Sequence, residues 1–120
     1  MDTTTGDPEI VESLAARLSS KGVEWLDCEI GGSSAQALRG EAIVISGGTD
    51  DGVAGCRDIL DALSSLVYHT GPAGTGTRMK LALNIAIGLH RAVLAESLSF
   101  ARANGIDPQV ALTILKSGPA

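Results

Sequence analysis

An α/β fold with an all-helical C-terminal part is predicted for these 120 residues, and three observations carry the prediction. Ala42-Ile43-Val44-Ile45-Ser46 is a continuous apolar run bounded by glycines, the pattern of a short strand buried on both faces. Asp7-Pro8 and Asp107-Pro108 each pair a side-chain acceptor for free backbone N–H groups with a proline at the first helical position, where no N–H is needed. From Thr75 or Gly76 to about Asn104 no proline interrupts a stretch rich in Leu and Ala, which supports one long helix.

The elements follow in order. The first helix is expected from Pro8 to about Lys21, since Ile10, Val11, Leu14, Ala15 and Leu18 recur at helical spacing and Gly22 follows as a stop. Val23 to Ile30 reads as a strand, Gly31-Gly32-Ser33-Ser34 as a loop, and Ser34 to Arg39 as a short helix. After the strand Ala42–Ser46, Gly47-Gly48-Thr49-Asp50-Asp51 starts another helix with Val53, Ile59, Leu60 and Leu63 on one side. Leu66 to Thr70 is a third strand. The long helix would span roughly 40 Å, more than one small domain needs, so it is expected to bridge two domains. A last helix, Pro108 to Lys116, stops at Ser117-Gly118-Pro119-Ala120. The domain boundary falls between a strand-rich part, 1–74, and a helical part, 75–120.

Composition narrows the function. Hydrophobic residues make up 44% and charged residues 19%, which is globular, and with one Trp, one Tyr and one Phe the core must be built from aliphatic residues. The net charge of −5 and the lack of basic clusters interleaved with aromatics argue against a nucleic-acid partner. Cys28 and Cys56 have no CxxC spacing and are read as reduced, packed thiols. The N-terminus has neither a basic nor an apolar leader region, and the apolar run Leu81–Leu89 is broken by Asn84 and Gly88, so no export signal or membrane anchor is expected and the cytoplasm is the expected location. His69 and His90 read as structural residues, and no second ligand is placed for a metal.

Gly71, Gly74 and Gly76 lie between a strand and a helix, but their spacing fits neither a dinucleotide fingerprint nor a P-loop. The helix beyond is more informative. Between Met79 and Leu89 it is apolar nearly all round, as in a buried helix, yet Lys80 and Asn84 lie four apart on one face. An ammonium in the first turn meets the positive end of the helix dipole, at a cost of roughly 0.3–1 kcal/mol, and a dry surrounding opposes its charge further. Lys80 is therefore a candidate general acid/base with Asn84 as polar neighbour. The same pattern also describes a lysine whose stem covers apolar surface while its head reaches water.

Gly71-Pro72-Ala73-Gly74-Thr75-Gly76 followed by Lys80 and Asn84 resembles the GxxGxGxxxKxxxN signature of the β-hydroxyacid dehydrogenases, the group including 3-hydroxyisobutyrate dehydrogenase and tartronate semialdehyde reductase. Asp2-Thr3-Thr4-Thr5-Gly6-Asp7-Pro8 resembles the family's D-x-S-T-x-x-P turn, Asp27 to Ser33 its D-A-P-V-S-G-G loop, and Gly105-Ile106-Asp107-Pro108 its G-x-D-P helix start. The resemblance implies the C-terminal portion of a Rossmann-like sheet, a long interdomain helix and the start of an all-α domain. It also implies NAD or NADP as cofactor and a small β-hydroxyacid as substrate. Lys80 would be the acid/base and Asn84 a substrate-site partner, Thr5 would lie near the nicotinamide, and Gly31, Gly32 and Ser33 would form the substrate loop.

That loop departs from the family pattern. The family's serine falls on Gly31 and its last glycine on Ser33, so a donor to the substrate carboxylate is lost unless Ser33 or Ser34 swings in. Glu29 stands where the family has proline and is expected to bring negative charge near an anionic substrate. Family members carry a first Rossmann half with a GxGxxG turn before this region and further helices after it, and these 120 residues contain neither. The chain alone is therefore expected neither to bind the dinucleotide tightly nor to turn over, and to associate with itself or with a missing N-terminal half. The rival expectation is a non-catalytic interaction module derived from this family.

Overall fold

A computed structural model describes residues 1–118. Its order is α1 (Pro8–Ser19), β1 (Asp27–Gly31), α2 (Ser34–Leu38), β2 (Ile43–Gly47), α3 (Asp50–Gly55), α4 (Arg57–Leu63), β3 (Leu66–Gly71), α5 (Thr75–Ala103) and α6 (Pro108–Ser117). The expected stop at Pro119-Ala120 lies outside the described residues. The chain forms two compact units, Met1–Leu83 and Asn84–Ala120. All three strands lie before the expected boundary at 74/75; the compact units divide further along, where the first turns of α5 still belong with the sheet.

In the first unit the three strands lie in the order β1-β2-β3, with β1 antiparallel and β3 parallel to β2. Asp2 adds a parallel bridge to Asp27 on the outer edge of β1. Val44, Ile45 and Ser46 are all buried, so successive side chains on opposite faces of β2 are covered, as its unbroken apolar run implies. The core is Leu26, Cys28, Val44, Val53 and Leu60, with Cys56 and Val67 packed against it.

Three local expectations are corrected. β1 begins at Asp27, not Val23, because the Val23 N–H still bonds back to the Leu18 carbonyl at 3.0 Å and belongs to the end of α1, whose helical turns stop at Ser19. The helix after β2 is two helices that meet at Cys56, whose backbone leaves the helical region; Gly52 and Gly55 weaken the first of them. The break turns α4, so Val53 and Leu60 are buried while Ile59 and Leu63 are exposed. The stretch of α5 from Met79 to Leu89 is also not buried within these residues, since Met79, Leu81, Ile85, Ile87 and Leu89 all lie at the surface.

The start of α5 is held by β1. The Asp27 carboxylate accepts the backbone N–H groups of Gly74 at 2.8 Å and Thr77 at 2.9 Å, so a strand residue supplies the acceptor that free N–H groups at a helix N-terminus require. The approach is close enough that a Cβ on Gly76 would lie 2.9 Å from the Gly47 nitrogen and 3.0 Å from the Asp27 carbonyl oxygen. By length and composition α5 could cross a bilayer; its first turn is fastened to the sheet through Asp27.

The second unit holds the remainder of α5 and α6. Asp107 caps α6 through the Gln109 N–H at 2.8 Å and Pro108 follows, as the local sequence predicts. Ala101 and Ala111 are buried, whereas Ile85, Leu89, Val93, Phe100, Val110 and Ile114 are exposed.

Candidate active site

β1 and α5 place the residues in question. Leu26 anchors β1 in the core, and the Asp27 contacts set the rotation of α5, which carries Thr77 and Lys80 three residues apart on one face toward β1. Lys80 is half-buried and its Nζ donates to the Ile30 carbonyl at 2.6 Å. An ammonium has three donors, so two remain for a ligand. Asn84, one turn further on, opens the second unit and is exposed.

Thr5 is exposed, and its hydroxyl donates to Glu29 Oε2 at 2.7 Å. Glu29 is 0% exposed, and its other oxygen accepts from the Thr77 hydroxyl at 3.0 Å. That hydroxyl also lies 3.3 Å from Asp27 Oδ2, so one proton serves two buried carboxyl groups. The charge expected of Glu29 beside the substrate loop is thus turned inward and tied to two hydroxyls. Sequence reading singled out Thr5 and Lys80 and expected a charge from Glu29 beside the substrate loop, but gave no role to Asp27 or Thr77. The available signal was Glu29 itself, a carboxyl where the resemblance calls for proline; nothing local marks Thr77.

The loop residues divide. Gly31 is buried, and a Cβ there would lie 2.7 Å from Ile43 Cγ1 and 3.1 Å from Leu83 Cδ2, so this position accepts glycine because β2 and α5 crowd it. Gly32 is exposed. Ser33 caps α2: its hydroxyl accepts the Gln36 N–H at 3.3 Å and donates to Gln36 Oε1 at 2.9 Å, while Gln36 Oε1 also accepts the Ser33 N–H at 2.8 Å. This capping box occupies the Ser33 hydroxyl that was expected to stand in for the missing serine.

An open cleft of about 510 Å³ lies elsewhere, beyond the carboxyl ends of β2 and β3, lined among others by Trp25, Thr49, Asp50 and His69. His69 Nε2 donates to the carbonyls of Gly48 at 3.1 Å and Gly71 at 2.9 Å, joining the two strand ends; this is the structural role the sequence suggests. Because β1 runs opposite to β2, this cleft is at the far end of the sheet from the Ile30–Lys80 contact. The electrostatic link between α1 and α5 is the exposed Glu12–Arg78 pair, in which the guanidinium lowers the carboxyl and the carboxylate raises the guanidinium.

A half-buried lysine held by the Ile30 carbonyl and a hydrogen-bonded chain Thr5–Glu29–Thr77–Asp27 lie at the root of a long helix on a mixed sheet. Residues 1–71 match the NAD binding domain of 6-phosphogluconate dehydrogenase, and residues 74–120 match the NAD-binding region of NADP-dependent 3-hydroxyisobutyrate dehydrogenase. The chain belongs to the β-hydroxyacid dehydrogenase family. It is 31% identical over 97% of its length to 3-hydroxyisobutyrate dehydrogenase of Pseudomonas aeruginosa, covering 39% of that protein. It is 29% identical over 94% of its length to L-threonate dehydrogenase of Cupriavidus necator, covering 38%. A solved 3-hydroxyisobutyrate dehydrogenase from Salmonella typhimurium superposes on 98% of the chain with a TM-score of 0.85 at 25% identity, and 41% of that enzyme is covered. The chain therefore spans about two fifths of the length of the relatives it matches.

Polar groups are present that a bound group can meet: Thr5 is an exposed residue whose hydroxyl donates to Glu29, and Lys80 keeps two donors beyond its bond to Ile30, whereas the sequence contains no glycine turn of dinucleotide spacing to hold a pyrophosphate.

Proposed function

We propose that this chain is the catalytic stretch of a cytoplasmic NAD(P)-dependent oxidoreductase that acts on a small β-hydroxyacid. Residues 1–74 form the C-terminal half of its NAD(P)-binding Rossmann-like domain, and residues 75–120 form the interdomain helix and the start of its helical domain. The observation that carries this reading is the Lys80 ammonium, half-buried at the family's signature spacing and oriented by the Ile30 carbonyl at 2.6 Å.

When bound, the nicotinamide supplies or accepts the hydride at the carbinol carbon. Lys80 holds the substrate oxygen with a spare N–H and takes up or returns the hydroxyl proton there. The Ile30 carbonyl fixes the lysine stem, so the amine meets the substrate without a search among rotamers. Thr5 lies at the nicotinamide edge, Asn84 is a polar partner for the substrate, and the backbone of Gly31 and Gly32 borders it. Ser33 contributes to the loop through its cap on α2.

The experiment mixes the chain with the N-terminal half of the Pseudomonas relative, after its mass in solution has been measured alone, and follows dinucleotide reduction with 3-hydroxyisobutyrate and L-threonate. Turnover that falls by about 10²-fold or more in Lys80→Ala, with dinucleotide affinity little changed, is expected. Equal loss of both would assign Lys80 a structural part. The exposed apolar residues of α5 and α6 favour a second reading, a self-associating interaction module. An assembled oligomer that gives no turnover in any mixture would select it.

A further inference from the structure

We propose that Glu29 fixes the hydrogen-bond polarity of Thr5, making its exposed hydroxyl an acceptor that selects a ligand group bearing N–H, here the carboxamide NH2 of the nicotinamide. The inference rests on the assignment of Thr5 to the nicotinamide edge and adds the reason for its selectivity.

A threonine hydroxyl has one proton and two lone pairs. In Thr5 the proton is committed to Glu29 Oε2 at 2.7 Å, so what the exposed side of Thr5 offers is lone pairs. Glu29 cannot turn to serve another donor: it is fully buried, and its second oxygen is held by Thr77 at 3.0 Å. Thr77 is in turn fixed by its own backbone bond to Asp27 at 2.9 Å. The polarity of Thr5 is thus set from inside the fold, through a carboxyl that stands where the family pattern has proline and no such acceptor. In its ammonium form Lys80 on the same framework offers donors. The site therefore pairs an acceptor with a donor, and a carboxamide, unlike a ketone, supplies the N–H that the acceptor needs.

The test compares two probes of equal charge and nearly equal shape, the 1-methylnicotinamide and 3-acetyl-1-methylpyridinium cations, titrated into the isotope-labelled full chain and followed by amide shifts around Thr5. The wild type should prefer the carboxamide by about 3- to 10-fold, the range of one neutral hydrogen bond. Thr5→Val, nearly isosteric and at an exposed position, should bring the ratio to about one. Glu29→Leu should do the same. Glu29→Gln should keep the preference, because its amide can donate to Thr77, which then donates to Asp27, while its oxygen still accepts from Thr5. If Glu29→Leu does not fold, Thr5→Val and the wild type decide. Equal affinities in the wild type, or a preference that survives Thr5→Val, would overturn the inference and leave the cofactor assignment standing. No shift near Thr5 with either probe would overturn the assignment of Thr5 itself, and the inference with it.

Discussion

Asp27 on β1 and Thr77 on α5 are fifty residues apart in sequence and joined by a 2.9 Å hydrogen bond from the Thr77 backbone N–H to the Asp27 carboxylate. The same carboxylate accepts the Gly74 N–H at 2.8 Å, and the whole side chain is buried. It is the acceptor that lets a helix begin against the sheet, and it sets where Thr77 and Lys80 point.

Replacing Asp27 with Ala should therefore destabilise the first unit by about 3 kcal/mol or more, since two buried N–H groups lose a charged acceptor. Asp27→Asn should lose less, because one oxygen remains. Urea unfolding followed by circular dichroism measures both. A loss under about 1 kcal/mol for the alanine variant would mean that the turn Gly71–Gly76 starts α5 unaided.

Gly31→Ser restores the residue that the family resemblance calls for, and sequence reasoning alone expects better acid binding from the added hydroxyl. Packing at Gly31 predicts the opposite: the new Cβ would meet Ile43 Cγ1 at 2.7 Å and Leu83 Cδ2 at 3.1 Å. A destabilisation of about 1–3 kcal/mol is expected, typical of an overpacked site. Ile43→Ala should relieve it, so a double-mutant cycle by thermal unfolding should show favourable coupling between the two changes. Additive losses would place the crowding elsewhere.

Burial raises the Cys28 thiol from 9.0 to about 11. The folded state therefore holds the proton more tightly than the unfolded chain does, so this contribution to stability is complete below pH 9 and is lost as pH rises toward 11. Stability should fall over that window less steeply in Cys28→Ala than in the wild type. A thiol reagent at pH 8 should reach the half-buried Cys56 before the buried Cys28, which mass spectrometry after a short pulse resolves. Equal labelling of both under native conditions would show that the core around Cys28 opens readily.

Much of the architecture was legible from local chemistry. Asp7-Pro8 and Asp107-Pro108 start α1 and α6 because a cap and a proline act within three residues of each other. The unbroken run Ala42–Ser46 marked a strand covered on both faces, and the proline-free stretch after Gly74 marked α5. The spacing of Lys80 from the three glycines was also a property of the sequence, and with it the family.

What only the tertiary structure decided depends on which side chains meet across elements, a matter of register and packing that local propensity does not encode. The break at Cys56 arises where a weak, glycine-containing helix lets a cysteine pack against the core. The stretch Met79–Leu89 of α5, apolar on nearly all sides, read as buried, yet burial requires covering layers, and within these residues its large apolar side chains are exposed. The Thr5–Glu29–Thr77–Asp27 chain joins four residues from three separate segments. No periodicity could have announced it, because each bond exists only once β1, the N-terminal turn and α5 have come together.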